Sequence, residues 1–292
     1  MTAGAGPSGL AVIDKPAGWT SHDVVAKCRG IFGTRKVGHS GTLDPSATGV
    51  LVLGVGRGTK LLRFLSGLPK TYEARITLGV ETDSLDADGE VTVAHDMAAP
   101  TVDAVATAAG ELTGDILQVP PMVSAIKVGG KRLHQLAREG KEVEREPRPV
   151  TVARFDVRST GDPMVWDASV DCSSGTYVRV LAADLGHLLG GGAHLSGLRR
   201  TAVGPWGIDE AAPMESAPLA PTSQVSRVME SVEVDEATAA LVRNGRVLAR
   251  VDLGLRGSGG GPWAVSTADG ELLAVYESHR GDTAKPAVVL AT

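Results

Sequence analysis

The residues whose types and spacing could carry chemistry lie in the stretch KVGHSGTLDPSATG, residues 36–49. Its glycines and its proline break helical and strand periodicity, which predicts a structured loop between regular elements. Asp44 is the only acidic residue of this loop, and Pro45 restricts the backbone before it to extended geometry, which would hold the carboxylate in one place. This carboxylate could serve as a nucleophile; a turn aspartate that bonds its own backbone is the structural alternative.

Basic residues surround this carboxylate although the chain as a whole is acidic. The formal net charge is −5, yet residues 1–75 contain ten Lys and Arg against four Asp and Glu. A second basic group lies between Lys127 and Arg148. Such groups are often only solvated faces, but two of them near one carboxylate predict a polyanionic substrate.

Composition favours a globular protein without a membrane span, a disulfide framework or a zinc site. The chain has 292 residues, 42% of them hydrophobic and 22% charged, which is typical of globular proteins and predicts two domains. Apolar runs such as residues 50–55 are far shorter than a membrane span, and the N-terminal residues lack a signal-peptide pattern, so a cytoplasmic protein is expected. Cys28 and Cys172 have neither disulfide-framework nor zinc-site spacing, which predicts two buried reduced thiols and no metal site.

Regular elements on both sides of the loop must position Asp44. Apolar runs with alternating or continuous burial patterns predict strands, and stripes at helical spacing predict helices. Thr20 or Ser21 is expected to cap the first helix. The elements predicted up to residue 112 are strands at 10–13, 50–55 and 71–78 and helices at 21–32, 59–65 and 101–112.

The acidic segment at residues 81–90 resembles a calcium-binding loop only in part. Ser84 occupies the first ligand position and His95 the twelfth, where a bidentate glutamate is required. A solvated hairpin loop is therefore the better interpretation. Further along, residues 118–148 predict a strand-like piece, two glycines and a basic helix, which is either an arm at about residues 127–148 or a plain surface helix.

The segment after residue 150 predicts two paired strands, at 150–157 and 164–172, followed by a helix with an apolar stripe. Arg179 lies in the first turn of that helix. A cation there opposes the helix dipole, which indicates that a carboxylate or a phosphate lies nearby.

Proline-rich residues mark a boundary near the C-terminus. The sequence predicts a catalytic domain at residues 1–210, a linker at 211–230, and a smaller domain at 231–292 with one helix and several short strands, suggestive of a small β-barrel.

Several motifs together resemble one family, the TruB-type tRNA pseudouridine synthases of bacteria. They cover most of residues 10–206, and the C-terminal part is similar to PUA-like RNA-binding barrels. The motifs are DKPAGWTS (14–21), GHSGTLDPSATGVL (38–51), KTYEA (70–74), VPPMVSAIKVGGKRLHQLAREG (119–140), CSSGTYVR (172–179) and LRRT (198–201).

The resemblance implies an α+β fold, with a central, mostly antiparallel sheet flanked by helices and a small C-terminal PUA-like domain. It implies isomerisation of the T-loop uridine of tRNA, conventionally numbered 55, to pseudouridine after base flipping and without a cofactor. Asp44 would be the catalytic nucleophile, attacking either ribose C1′ or uracil C6. The implied partner is the T-arm of tRNA, bound by a monomer that needs no protein partner and no membrane.

Five further residues are assigned to the substrate by the same resemblance. Arg179 would pair with Asp44 and keep it ionised. Tyr72 would stack on the target base, Tyr177 and Leu198 would line the base pocket, and His39 would take part in flipping the nucleotide. The tRNA backbone would be contacted from the arm by Lys131, Arg132, Arg138 and Lys141.

Two other classes of function remain as alternatives. An RNA-binding or tRNA-folding module could carry the loop incidentally, although an intact Asp44 argues against that as the sole role. A glycosidase would need a second catalytic carboxylate near Asp44, and the loop contains none.

Overall fold

A computed structural model describes residues 6–122, 143–255 and 259–290, together with the backbone of 127–128 and 131–132. The basic helix expected within the arm, including Arg138 and Lys141, lies outside these residues. Lys131 and Arg132 form one strand of a two-stranded antiparallel sheet, and their side chains lie outside the described part of the chain. No helix among the described residues is long and apolar enough to cross a membrane.

The elements are short and mostly strands. The helices are α1 (Ser21–Ile31), α2 (Leu62–Leu65), α3 (Val102–Glu111), α4 (Val178–Leu188) and α5 (Glu236–Arg243), with 3₁₀ turns at Gly56–Leu61 and Thr222–Val228. The strands are β1 (Gly9–Lys15), β2 (Val37–His39), β3 (Thr48–Val55), β4 (Lys70–Leu78), β5 (Val80–Thr82), β6 (Val91–Ala94), β7 (Gly114–Gln118), β8 (Lys127–Val128), β9 (Lys131–Arg132), β10 (Arg148–Ser159), β11 (Val165–Cys172), β12 (Ala193–Val203), β13 (Trp206–Gly207), β14 (Glu230–Val234), β15 (Leu248–Ala249), β16 (Trp263–Thr267), β17 (Leu272–Ser278) and β18 (Thr283–Val289).

A nine-stranded sheet forms the centre of the protein. Its main path runs β1-β3-β12-β4-β11-β10-β7, with β2 paired to β3 and β13 paired to β12. All pairings are antiparallel except the short one between β12 and β3, where Arg199 and Arg200 face Thr48 and Gly49. The predicted α+β class, with a mostly antiparallel central sheet flanked by helices, is confirmed.

Helix α1 shows how local sequence sets an element beside the loop. Thr20 is its N-cap: the Thr20 hydroxyl accepts a hydrogen bond from the Asp23 amide, and the Asp23 carboxylate accepts one from the Thr20 amide. This reciprocal capping box satisfies two amides that the first turn would leave unpaired. Val24, Val25 and Cys28 then pack into the core.

Several parts of the sequence prediction differ from the structure: β7 and β12 were not predicted, and two other regions were misjudged. Residues 36–49 were expected to contain no strand, but Val37–His39 pairs with β3 and β3 itself begins at Thr48. Here the open edge of a neighbouring strand overrides weak local propensity. The strand expected at residues 247–251 is limited to Leu248–Ala249, because residues 250–254 form turns.

The C-terminal residues form a second sheet, of strand order β14-β16-β17-β18-β15. The segment predicted as a linker lies along β1, where the Leu10 amide donates to the Ala220 carbonyl and the Asp14 amide to the Ala212 carbonyl, both at 2.9 Å. One hydrophobic cluster includes Leu10 from β1 and Val275 from β17. The second sheet is therefore packed directly against the first.

Substituting Gly49 with Ala is expected to lower the free energy of unfolding by about 3 kcal/mol, since Gly49 has φ of +100° and an added Cβ would lie 2.1 Å from the Arg200 carbonyl oxygen. Urea denaturation measures this change. Gly161→Ala is the matched control, because no atom lies within 4 Å of its added Cβ. Equal stability of the two variants would contradict the tight β3–β12 approach.

Candidate active site

One open cleft brings together all six residues that the sequence assigned to catalysis and base binding. Its volume is about 450 Å³. The cleft lies over the β4 and β12 strands of the central sheet, between the loop before β3 and the turn before α4. The predicted residues that line it are His39, Asp44, Tyr72, Tyr177, Arg179 and Leu198.

Asp44 and Arg179 form an ion pair in this cleft, with 3.1 Å between Asp44 Oδ2 and Arg179 Nε. The Asp44 side chain is 39% exposed, so a ligand in the cleft can reach it, whereas the Arg179 side chain is only 5% exposed. Burial raises the pKa of Asp44 above its ordinary value, and the Arg179 guanidinium opposes this rise. The cleft therefore contains a carboxylate that a ligand can reach, paired with a buried cation.

Arg179 also contacts Asp86, with 3.2 Å between Arg179 Nη1 and Asp86 Oδ2, and donates to the Ser84 carbonyl at 2.9 Å. These partners explain a cation in the first turn of α4, where it opposes the helix dipole. The expectation of a nearby carboxylate is confirmed by two of them, Asp44 and Asp86.

Asp86 is a site residue that sequence reasoning missed. The loop at residues 81–90 was expected to be solvated, but the Asp86 side chain is only 11% exposed. Its Oδ1 accepts hydrogen bonds from the Ser84 hydroxyl at 2.5 Å and the Asp88 amide at 3.2 Å, while its Oδ2 faces Arg179. With both oxygens occupied as acceptors, Asp86 is placed to orient Arg179 rather than to act as a glycosidase acid.

The position of Asp86 depends on contacts between distant segments. The Ala87 amide donates to the Leu195 carbonyl, and the Leu195 amide donates to the Leu85 carbonyl. Leu85 adopts φ of +64° in the turn between them. No local spacing in the sequence signals this attachment to β12, which explains why Asp86 was taken for a loop residue.

Tyr72 lies on the buried face of β4, opposite Arg200 of β12. Desolvation raises the pKa of its phenol, so the phenol is neutral at physiological pH. Leu198, opposite Ala74, completes an apolar wall of the cleft.

Tyr177 is the N-cap residue of α4. Its amide donates to Gln118 Oε1 at 3.0 Å, and Gln118 Nε2 donates to its carbonyl at 3.3 Å. The buried Gln118 side chain therefore anchors the backbone of a residue that lines the cleft.

His39 ends β2 at the edge of the cleft. Its ring lies edge-on to His22, with 5.4 Å between ring centroids. Desolvation, together with the nearby His22 and Arg200, lowers the pKa of His39, which favours the neutral ring.

Family models match most of the chain. The model of the TruB family pseudouridylate synthase N-terminal domain matches residues 29–178, just over half of the chain. The chain belongs to the TruB family. Two further models match the residues that follow: the tRNA pseudouridylate synthase B C-terminal domain at residues 179–229 and the tRNA pseudouridine synthase II C-terminal region at residues 229–291.

Curated TruB relatives match along nearly the full chain. The tRNA pseudouridine synthase B of Arthrobacter sp. (strain FB24) is 45% identical over 305 residues, which cover 97% of each chain. That of Mycolicibacterium paratuberculosis (strain ATCC BAA-968 / K-10) is 48% identical, with 97% of this chain and 98% of the relative covered. A solved Cbf5-Nop10-Gar1 complex contains a chain of the same fold, with a TM-score of 0.74 at 24% identity over 97% of this chain and 84% of that chain.

The loop that carries Asp44 is held on both sides of that residue by Lys15 and Ser21, neither of which was assigned to the site from the sequence. The Lys15 ammonium donates to the carbonyls of Pro16, Trp19 and Pro45, at 2.9, 2.7 and 3.1 Å. On the N-terminal side of Asp44, the Ser21 hydroxyl accepts from the Leu43 amide at 2.9 Å. These contacts restrain the peptides that flank Asp44.

Neither the cysteines nor metal binding adds a second reactive site among the described residues. Cys28 and Cys172 are free and buried, as predicted. Burial raises the pKa of each thiol to about 11, so neither is a ready thiolate. Within the described part of the chain, no group of three or more His, Cys, Asp or Glu could hold a metal ion.

Proposed function

We propose that this TruB family chain is a tRNA pseudouridine synthase that isomerises the T-loop uridine through a covalent intermediate on Asp44. The single observation that carries the proposal is the reachable Asp44 carboxylate, paired at 3.1 Å with the buried Arg179 in a cleft large enough for a nucleotide base. The relatives named tRNA pseudouridine synthase B, similar over nearly the whole chain, support the same reaction.

The reaction needs one nucleophile and no change of oxidation state. The bond between ribose C1′ and uracil N1 breaks, the base turns, and a bond from C1′ to C5 forms. N1 gains a proton and C5 loses one, so atoms balance without a co-reactant. Asp44 attacks either C1′ or C6, and both routes return the carboxylate at the end.

The other cleft residues have supporting roles in this proposal. Arg179 stabilises the ionised Asp44 once the substrate excludes water. Tyr72 stacks on the target base, and Tyr177 and Leu198 line its pocket. His39, held neutral, takes part in flipping the nucleotide, at no cost in desolvating a charge.

Binding of the T-arm completes the proposal. Lys131, Arg132, Arg138 and Lys141 would contact its backbone from the arm, giving affinity that depends on salt and not on sequence. The proposed organisation is a catalytic domain at residues 1–210, a linking segment at 211–230, and an RNA-binding domain at 231–292. Because tRNA is the substrate, we place the protein in the cytoplasm, acting as a monomer.

Tritium release from C5-labelled uridine in an unmodified tRNA transcript tests this function. Purified protein is expected to release one equivalent per tRNA with no metal or nucleotide added. A transcript with the T-loop uridine replaced by cytidine is the control and should release none from that site. Tight tRNA binding without release would instead favour an RNA-binding or tRNA-folding module.

The rate of isomerisation is expected to fall on acidification with a midpoint above 3.8, the ordinary aspartate pKa. Burial raises the pKa of Asp44, so the ionised nucleophile is lost at a higher pH than an exposed aspartate would be. Single-turnover rates between pH 3 and 8 measure the midpoint, with circular dichroism at each pH to exclude unfolding. A midpoint at or below 3.8 would show that pairing with Arg179 outweighs burial.

A further inference from the structure

Two buried cations, Lys70 and Arg200, line the active-site cleft apart from the Asp44–Arg179 pair. Lys70 is 6% exposed and Arg200 is 1% exposed. They come from neighbouring strands: Arg200 of β12 faces Tyr72 of β4, two residues from Lys70 on the same face of that strand. An added Cβ on Gly41 would lie 3.8 Å from Arg200 Nη1 and 3.9 Å from Lys70 Cε, so both side chains lie behind the same loop.

Backbone carbonyls are the main hydrogen-bond partners of these cations, and Arg200 also donates to the Tyr72 hydroxyl. The Lys70 ammonium donates to the carbonyls of Ser66 and Leu68, at 2.7 and 2.6 Å. Arg200 Nε donates to the Val50 carbonyl at 2.7 Å, and its Nη1 and Nη2 donate to two carbonyls of the Asp44 loop, those of Thr42 and Gly41. An ammonium has three hydrogens, so Lys70 keeps one for a further acceptor.

Among the described residues, no carboxylate forms an ion pair with Lys70 or with Arg200. The ionisable neighbours Tyr72 and Cys172 are neutral, since burial raises the pKa of both. Desolvation and the charge of Arg200 lower the pKa of Lys70 to about 8. Buried charges without a counter-charge are costly, which favours the arrival of an anion.

Hydroxyl and amide groups surround the open side of this pair. The turn at residues 173–176, which joins β11 to α4, lines the cleft beside Lys70, and Ser66 lines it from the other side. These groups add no charge, and the Ser66 and Ser174 hydroxyls already donate to the carbonyls of Leu62 and Ser66, so the charge for an anion would come from the two cations. The nearest acid of the cleft, Asp44, is already paired with Arg179.

We propose that Lys70, with Arg200 behind it, forms a subsite for one phosphodiester of the RNA, next to the nucleotide that enters the cleft. Lys70 supplies the direct contact, and the more deeply buried Arg200 supplies charge while it holds the Asp44 loop. The phosphodiester would provide the negative charge that this face lacks and would fix the flipped nucleotide relative to Asp44. This subsite rests on the proposed function, since it requires an RNA substrate.

The test measures binding of a T-arm stem-loop RNA at several salt concentrations. Lys70→Met and Lys70→Gln are expected to weaken binding about tenfold or more and to reduce the salt slope by about one. Gln retains a donor for the Ser66 and Leu68 carbonyls, so it separates loss of charge from loss of folding. Lys70→Arg should restore much of the affinity. Arg154→Met is the control for loss of a cation, because Arg154 lies on β10 outside the cleft and pairs with Asp156 and Asp171.

A neutral methylphosphonate placed in turn at each linkage flanking the target uridine locates the contact. At one linkage, it should weaken binding to the wild-type protein but not weaken binding to Lys70→Gln further. An unchanged salt slope in both variants, additive losses at every linkage, or a fall in kcat alone would overturn the phosphate subsite while wild-type activity upholds the proposed function. A wild-type protein that does not bind the RNA would overturn the function itself, and the subsite with it.

Discussion

Asp44→Asn is expected to abolish pseudouridine formation, with a loss of about 10⁵-fold or more in the single-turnover rate. The amide has nearly the shape of the carboxylate but is not a nucleophile toward the sugar or the base, so no covalent intermediate forms. Tritium release and single-turnover kinetics measure the loss.

Binding of tRNA by Asp44→Asn should remain close to that of the wild-type protein. The substitution changes one atom in the cleft, and Arg179 keeps its contacts with Asp86 and the Ser84 carbonyl. Asp103→Asn is the matched control, since Asp103 is exposed in the first turn of α3 and should leave the rate unchanged. A residual rate within tenfold of the wild type would show that Asp44 is not the nucleophile.

The sequence anticipated most of the regular elements, because their signals are local. The capping residue of α1, the alternation of β4 and the apolar stripe of α4 can each be seen within a dozen residues. Two of the misjudged strands, β2 and β15, are short and depend on a neighbouring strand for their existence.

The site residues likewise fall into those that local motifs identify and those that depend on distant contacts. Motif resemblance identified the six cleft residues, and the conflict of Arg179 with its helix dipole pointed to a carboxylate partner without saying which. Asp86, Lys15 and Arg200 were missed because their roles depend on contacts with segments far away in the chain, such as the contact between Lys15 and Pro45. A buried cation has no sequence signature until its surroundings are known.

These missed residues share one physical task. Lys15 and Ser21 restrain the peptides beside Asp44, Arg200 holds the carbonyls of the same loop, and Asp86 orients Arg179. An isomerisation without a cofactor depends on a nucleophile held in position before the substrate arrives. The network of buried polar contacts supplies that preorganisation.

Arg179→Met is expected to reduce the single-turnover rate by about 10² to 10³-fold, because the buried guanidinium no longer stabilises the charge on Asp44. It is also expected to lower the free energy of unfolding by about 3 kcal/mol, since it leaves the Asp86 carboxylate buried without its cation. Urea denaturation measures the stability. Arg199→Met, which breaks the more exposed pair with Asp14, should cost about 1 kcal/mol or less.

A double variant separates the two effects of Arg179. Adding Asp86→Asn to Arg179→Met removes the uncompensated charge, so the double variant should be more stable than Arg179→Met alone, although its activity should stay low. Asp86→Asn alone should keep the Asp44–Arg179 pair but orient Arg179 less well, and its rate should fall less than that of Arg179→Met. A double variant no more stable than Arg179→Met would show that the unpaired Asp86 carboxylate is not the cause of the instability of Arg179→Met.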